Sequence, residues 1–224
     1  MLTERIETIR KKLIEFANLV ENMIDGSLEG LIEREKDLLV EVIEIDEPKA
    51  NRFELELDEL CTTLIAQFQP KAKDLRTILM VLRINNDLER LGDHAVNIAE
   101  SSLFLIERPL IKPLLDIPRM SQIAVKMLKD SVSAFISENV ELAYNVLIQD
   151  STVDGLRDQV IRELVVLMSS SPSMIERAFQ LMRISSNLER IADLSTNICE
   201  DIIFMVQGKV IKHHAGENSI ADNK

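Results

Sequence analysis

Residues 83–100, RINNDLERLGDHAVNIAE, decide the fold, because they return one hundred residues later as residues 183–200, RISSNLERIADLSTNICE. Glu89, Arg90, Asp93, Asn97 and Glu100 reappear as Glu189, Arg190, Asp193, Asn197 and Glu200, while the apolar positions between them drift and Asp87 becomes Asn187. The chain is therefore read as a duplication, and the polar set held by both copies is where function is sought.

Working outward, proline punctuation repeats with the segment. Pro70 and Pro172 each interrupt a helical pattern shortly before the repeated stretch, and Pro109, Pro113 and Pro118 crowd RPLIKPLLDIP between the halves. The first half predicts helices over 3–33, 35–68 with a kink at Pro48, and 71–107. The second predicts 118–137, 139–168 and 172–206, with Gly208 as the C-cap. Met23, Ser27 and Leu28 match Met127, Ser131 and Val132 at a separation of 104, which extends the duplication to the first helices. The expected fold is all-α: two pseudo-symmetric antiparallel three-helix bundles, each with its own core. Residues 1–108 form the first bundle, 109–118 a Pro-rich linker, 119–208 the second bundle, and 209–224 a frayed polar tail holding His213 and His214.

Composition agrees with helix and bounds function. Gly and Pro number six each and Trp is absent, whereas Leu, Ile, Glu, Lys, Arg and Met are abundant. A formal charge of −12 disfavours nucleic acid and anionic membrane, whose phosphates need clustered Lys and Arg; cations or a basic protein surface suit it better. No apolar run approaches the roughly 18 residues that nominate a membrane span. The N-terminal MLTERIETIRKK lacks a signal-type apolar stretch, so a cytoplasmic protein is expected. Cys61 and Cys199 form no CxxC pair and have no paired His; both read as small buried residues.

At 100° per residue, Asp93, Asn97, Glu100 and Asn86 fall within about 80° of Glu89, and Ile84, Leu88, Leu91, Ala95, Ile98 and Ala99 gather on the far side. The carboxylates are thus expected on the outer surface, opposite the core. A hairpin turn near Gln69 and Pro70 sets Glu89 across from residue 50, in the segment from Glu47 to Asn51. A turn near Ser171 sets Glu189 and Asp193 near residues 153 and 149, where Asp150 and Asp154 stand four residues apart. Each half then brings two acidic clusters to one level of the bundle. Like charges at this spacing repel by a few tenths of a kcal/mol, and a bound cation would reverse the sign. Carboxylate and carboxamide ligands suit Mg²⁺, Mn²⁺, Ca²⁺ or iron, and the shortage of His and Cys ligands argues against a closed structural zinc site. The competing interpretation of such a stripe is solvated surface; its recurrence and its alignment with a second acidic cluster weigh toward a platform.

At LERLGDHAVNIAE (88–100), LERIADLSTNICE (188–200), QPKAKDLR (69–76) and the Asp150-xxx-Asp154 segment, the chain resembles the PhoU family of phosphate-signalling regulators. That resemblance implies multinuclear metal clusters on the bundle surfaces, iron first, with manganese, magnesium, calcium or zinc also compatible. The implied ligands are Glu89, Asp93, Asp150, Asp154, Glu189 and Asp193, with Glu47 on a degenerate Glu47-xxx-Asn51 motif. Asn97, Glu100, Asn197 and Glu200 are secondary ligands on the same stripes. Two departures from the family pattern are Asn51 and Leu194, the latter standing where His is usual. The resemblance also implies a cytoplasmic, dimeric negative regulator that links the ATPase of a phosphate transporter to a sensor histidine kinase.

Two alternatives compete. A metal-free acidic helical adaptor would use the same surfaces without ions. A carboxylate-bridged metalloenzyme would need inward-facing Glu and Glu-x-x-His pairs, and the chain has no Glu-x-x-His. With no nucleophile, glycine-rich phosphate loop or enclosed polar pocket in the pattern, an enzyme is not expected.

Overall fold

The computed structural model describes residues 2–208 and residue 210. The expected tail 209–224, with His213 and His214, lies outside the described residues apart from Val210. Seven α-helices follow one another: α1 (Leu2–Ile32), α2 (Lys36–Glu41), α3 (Glu47–Phe68), α4 (Ala72–Ile106), α5 (Asp116–Ser137), α6 (Val140–Ser170) and α7 (Ile175–Gln207), with no strand among the described residues. α1 packs on α3 and α4 as α5 packs on α6 and α7, so each half is a three-helix unit of the same arrangement. Ser27 Oγ donates to the Ile24 carbonyl at 2.8 Å and Ser131 Oγ to the Leu128 carbonyl at 2.7 Å, both buried, which places α1 and α5 in equivalent roles.

Helix ends follow local chemistry. Asn139 caps α6, its side-chain oxygen accepting from the Leu142 N–H at 3.1 Å. Gly208 takes φ +69° and its N–H closes on the Phe204 carbonyl at 2.8 Å, a left-handed C-cap that glycine adopts without a Cβ penalty. α5 starts at Asp116, before the expected Pro118, because proline is tolerated within a first turn whose N–H groups have no intrahelical partner. The expected kink at Pro48 takes the form of a π-helical turn over Val42–Asp46, in which the Glu47 N–H reaches back to the Val42 carbonyl. Pro48 has no N–H and its ring crowds the carbonyl four residues earlier, so the ladder slips by one residue there.

Against the expectation of a separate core in each bundle, the two halves share one. α4 packs on α7 and α1 on α5, and the buried side chains form a single cluster. Leu13, Ile84, Leu88, Val132, Phe135 and Ile198, from helices of both halves, meet around one small recess. A lone three-helix unit would leave those faces of α4 and α7 in water; docking the two buries them, at about 25 cal/mol per Å² of apolar surface. Ion pairs and a hydrogen bond mark the same junction. Arg83 pairs with Asp201 at 2.8 Å, Arg183 reaches Glu100 at 3.9 Å, and His94 Nδ1 meets Asn187 Oδ1 at 2.7 Å.

Candidate functional site

In the first half, Asn85 sets the register of α3 against α4. Its buried amide donates to the Glu54 carbonyl at 3.0 Å and to Asp58 Oδ1 at 3.1 Å, and Glu54 is the residue that the hairpin arithmetic puts opposite Asn85. Further along, a Cβ placed on Gly92 would stand 3.8 Å from that of Ala50, which puts residue 50 beside Gly92. The acidic neighbour of Glu89 from α3 is Glu54. Burial first, then the Asp93 and Glu54 carboxylates, push Glu89 above the usual carboxylate range, against a weaker pull from Arg90. Arg90 itself turns to Asp87, at 3.4 Å. Among the described residues, Glu47, Glu54, Glu89 and Asp93 have no Lys or Arg within ion-pair distance; the nearby Lys49 is spent on Asp46 at 2.8 Å.

The second half brings together more of the expected residues and adds charge of the other sign. Asp154 of α6 stands beside both Glu189 and Asp193 of α7, and it raises both carboxyls after burial has done most of the work. Into this group Arg157 extends from α6: its Nη1 donates to Glu189 Oε1 at 2.5 Å, while Nη2 holds Asp158 at 2.8 Å. Arg190 completes the enclosure, with Nε 3.6 Å from Glu189 Oε2 and Nη1 3.1 Å from Asp193 Oδ2. Burial still outweighs the two guanidiniums, so Glu189 remains raised.

These carboxylates do not all face outward. Glu189 and Asp150 are only 7% and 8% exposed, and Glu89, Asp154 and Asp193 are half-buried, leaving Asp93 exposed. The reason is that α7 lies against α4, α5 and α6 at once, so the edge of its polar stripe enters the seam with α6 instead of standing opposite the core. The secondary set runs away from the seam. Glu100, about 10 Å along the helix from Asp93, lies against Arg183 of the other half. Asn97 bonds back to the Asp93 carbonyl at 2.9 Å. Asn197 is exposed and Glu200 half-buried on the continuation of the α7 stripe. Glu47 is half-buried at the start of α3, about one turn beyond Ala50.

Two residues of the seams escape the motif search, Glu54 and Arg157. Both extend a run at 4,3 spacing on one helix face: Glu47, Asn51, Glu54 and, in the second half, Asp150, Asp154, Arg157. A search limited to acid pairs four apart stops one residue short of each. No group of three or more His, Cys, Asp or Glu side chains stands in ligating arrangement among the described residues. Glu54, Glu89 and Asp93 of the first half supply the oxygen chemistry that a hard cation takes, in excess of local positive charge, without standing in ligating arrangement. The second-half donors do not fit as they stand, since Glu189 and Asp193 are engaged by guanidiniums. Cys61 and Cys199 are buried and, with burial pushing the Cys61 thiol up to about 12 and the Cys199 thiol higher still, have no reactive thiolate. Among the described residues no helix is long and apolar enough to cross a membrane.

The fold and seams define a class: all-α proteins built by duplicating a three-helix unit with an acidic seam in each copy. A family model described as "PhoU domain" matches residues 13–102 and again residues 117–202, and the chain belongs to the PhoU family. It is 36% identical over 217 residues to the phosphate-specific transport system accessory protein PhoU homolog 2 of Thermotoga maritima, covering 97% of this chain and 92% of that protein. It is 38% identical to the PhoU homolog of Aquifex aeolicus, covering 95% of this chain and 96% of that one. Among solved structures, PhoU from Pseudomonas aeruginosa superposes with a TM-score of 0.90 at 31% identity, over 93% of this chain and all of that one. The phosphate transport system regulatory protein PhoU from Streptococcus pneumoniae gives 0.87 at 25% identity, over 95% of this chain. Those relatives are named as accessory or regulatory proteins, not as enzymes.

Proposed function

We propose that this protein is an accessory regulator of phosphate-specific transport, a cytoplasmic, homodimeric adaptor. It would link the ATPase subunit of the phosphate transporter to the sensor histidine kinase of the phosphate response and restrain the kinase while phosphate is plentiful. The observation that carries the reading is the match of residues 13–102 and 117–202 to PhoU domains, together with relatives named as accessory proteins over nearly the whole chain. Within this reading the first-half seam takes up a divalent cation through Glu54, Glu89 and Asp93, which would lend positive charge to a surface that is otherwise acidic.

A pull-down with tagged protein from a phosphate-replete lysate tests the adaptor role. It should recover the transporter ATPase or the sensor kinase; recovering neither with the tagged protein in excess counts against it. A metal-free adaptor is the second reading, favoured by the guanidiniums already holding Glu189 and Asp193. Elemental analysis of protein purified without chelator separates the two, because a metal-free adaptor contains well under one ion per chain and regains none on dialysis against iron or manganese.

A further inference from the structure

The two halves share a helix arrangement and a carboxylate set, yet they differ at one matched position. Glu47, Asn51 and Glu54 of α3 correspond to Asp150, Asp154 and Arg157 of α6, each 103 residues later. Where the first half presents a third acid to the seam, the second presents a guanidinium. That guanidinium does in the second half what an ion would do in the first. Its Nη1 is 2.5 Å from Glu189 Oε1, and Asp154 lies within its field; Arg190 supports it from the α7 side at 3.6 Å from Glu189 and 3.1 Å from Asp193. The repeat-mate of Arg190, Arg90, makes no such contact and leaves its own Glu89 for Asp87. Arg157, whose Nε and Nη2 also hold Asp158 at 3.2 and 2.8 Å, and Arg190 thus both contact seam carboxylates of the second half, whereas in the first half no Arg or Lys among the described residues pairs with Glu54, Glu89 or Asp93.

We infer that Arg157 is a built-in counter-ion that occupies the cation position of the second seam, so that the two halves are unequal and only the first responds to divalent metal. The inference rests on the cation reading of the first seam for its positive arm and on the Arg157 ion pairs alone for its negative arm. The chemistry is a competition: a guanidinium tethered within the same seam acts at high effective concentration, and a metal ion would have to displace it and desolvate the same carboxylates. The unequal halves give a pseudo-symmetric molecule one metal-sensitive face and one permanently charge-balanced face.

The test is Mn²⁺ titration of the full chain, read by electron paramagnetic resonance for free ion and by melting temperature. It is run on the wild type, Arg157→Glu, Arg157→Gln, Glu54→Arg and Asp154→Asn, with circular dichroism in chelator confirming that each is folded. The wild type should bind about one class of site per chain, Glu54→Arg should lose it, and Arg157→Glu should gain a second, raising the bound Mn²⁺ about twofold. Arg157→Gln, which removes the guanidinium without adding a ligand, should gain the second site with weaker affinity, and it serves if the Glu variant does not fold. Unchanged stoichiometry in both Arg157 variants overturns the inference, as does a wild type whose binding is lost with Asp154→Asn but kept in Glu54→Arg. If the wild type binds no Mn²⁺ but an Arg157 variant does, the counter-ion role stands and the first-seam cation reading falls. If none of the proteins binds, both fall.

Discussion

His94 Nδ1 lies 2.7 Å from Asn187 Oδ1, a hydrogen bond joining α4 to α7, and the repeat-related pair, Leu194 and Asp87, cannot make its counterpart. The duplication has therefore left one polar bond on one side of the junction and a carboxylate facing no imidazole on the other. Asp87 is buried, and burial pushes its carboxyl up to about 6 although Arg90 and Arg83 pull it down.

Asp87→Asn, the residue that the other half carries, should stabilise the protein at neutral pH. The folded value of about 6 lies above the unfolded one of 3.8, so the folded state binds the proton more tightly and the wild type loses stability as pH rises between them. Above that window the wild type carries the full cost of a buried charge, on the order of 3 kcal/mol at 1.36 kcal/mol per unit. Urea unfolding of both proteins from pH 4 to pH 8 checks this. The variant's advantage should be near its maximum at pH 8 and vanish toward pH 4; an advantage that does not depend on pH would contradict the burial argument.

For His94 the sign is opposite. Burial holds the imidazole below its usual value, with the Asn187 bond pulling back up and Arg90 pushing further down. As pH falls below the unfolded value near 6.5, the unfolded chain takes up the proton first and the folded state loses ground. His94→Leu, copying Leu194, should cost about 1 kcal/mol at pH 8 through the lost hydrogen bond, and the gap should narrow as the solution is acidified through pH 6. An imidazole titration by NMR should place the His94 midpoint below that of a solvent-exposed histidine.

The bundle itself was legible because its signals are local and repeated. Pro70, Pro172, Asn139 and Gly208 act on their own backbone, and a doubled segment at one hundred residues announces two copies of whatever it forms. The π-turn before Pro48 was legible as a disruption but not as a type, since both a kink and a slipped ladder relieve the same clash. The burial of Glu189 was not legible, because a helical wheel describes one helix and cannot record that α7 is flanked on three sides. Within the seams, Asp154 beside Glu189 and Asp193 followed from hairpin length. Arg157 did not follow, because a search for ligands reads carboxylates and passes over the cation that already satisfies them.

Two glycines should respond oppositely to alanine. A Cβ at Gly30 would come within 2.5 Å of Leu39 Cδ2, 2.7 Å of its Cγ and 3.1 Å of the Glu35 carbonyl oxygen. Leu39 is fully buried and cannot swing away, so Gly30→Ala should cost about 1–3 kcal/mol by overpacking the α1–α2 turn. At Gly155, exposed in the middle of α6, an added Cβ meets nothing within 4 Å. Gly155→Ala should therefore gain about 0.5–1 kcal/mol, because the unfolded chain loses freedom and the helix loses nothing. Denaturant midpoints measured side by side decide both.

The matched positions 54 and 157 yield the sharpest contrast in stability, and in chelator it requires no metal. Glu54 adds a negative charge to a seam that already holds Glu89 and Asp93 without a paired cation, and it is one of the causes that raise Glu89. Glu54→Gln should thus stabilise the ion-free protein by a few tenths of a kcal/mol, the usual size of a like-charge repulsion relieved near the surface. Arg157 sits among acids instead. Removing its charge leaves Glu189, 7% exposed, facing Asp193 and Asp154 with Arg190 alone. Arg157→Gln should cost about 1–2 kcal/mol, below the figure for a fully buried pair because the Arg157 side chain is still 29% exposed. It should also drive the Glu189 carboxyl further up. Because a raised carboxyl favours the folded state only below its own value, the cost of Arg157→Gln should shrink as pH falls from 7 to 4. Thermal unfolding in chelator across that range tests the pair, and two changes of the same sign at pH 7 would mean that the seams are electrostatically alike after all.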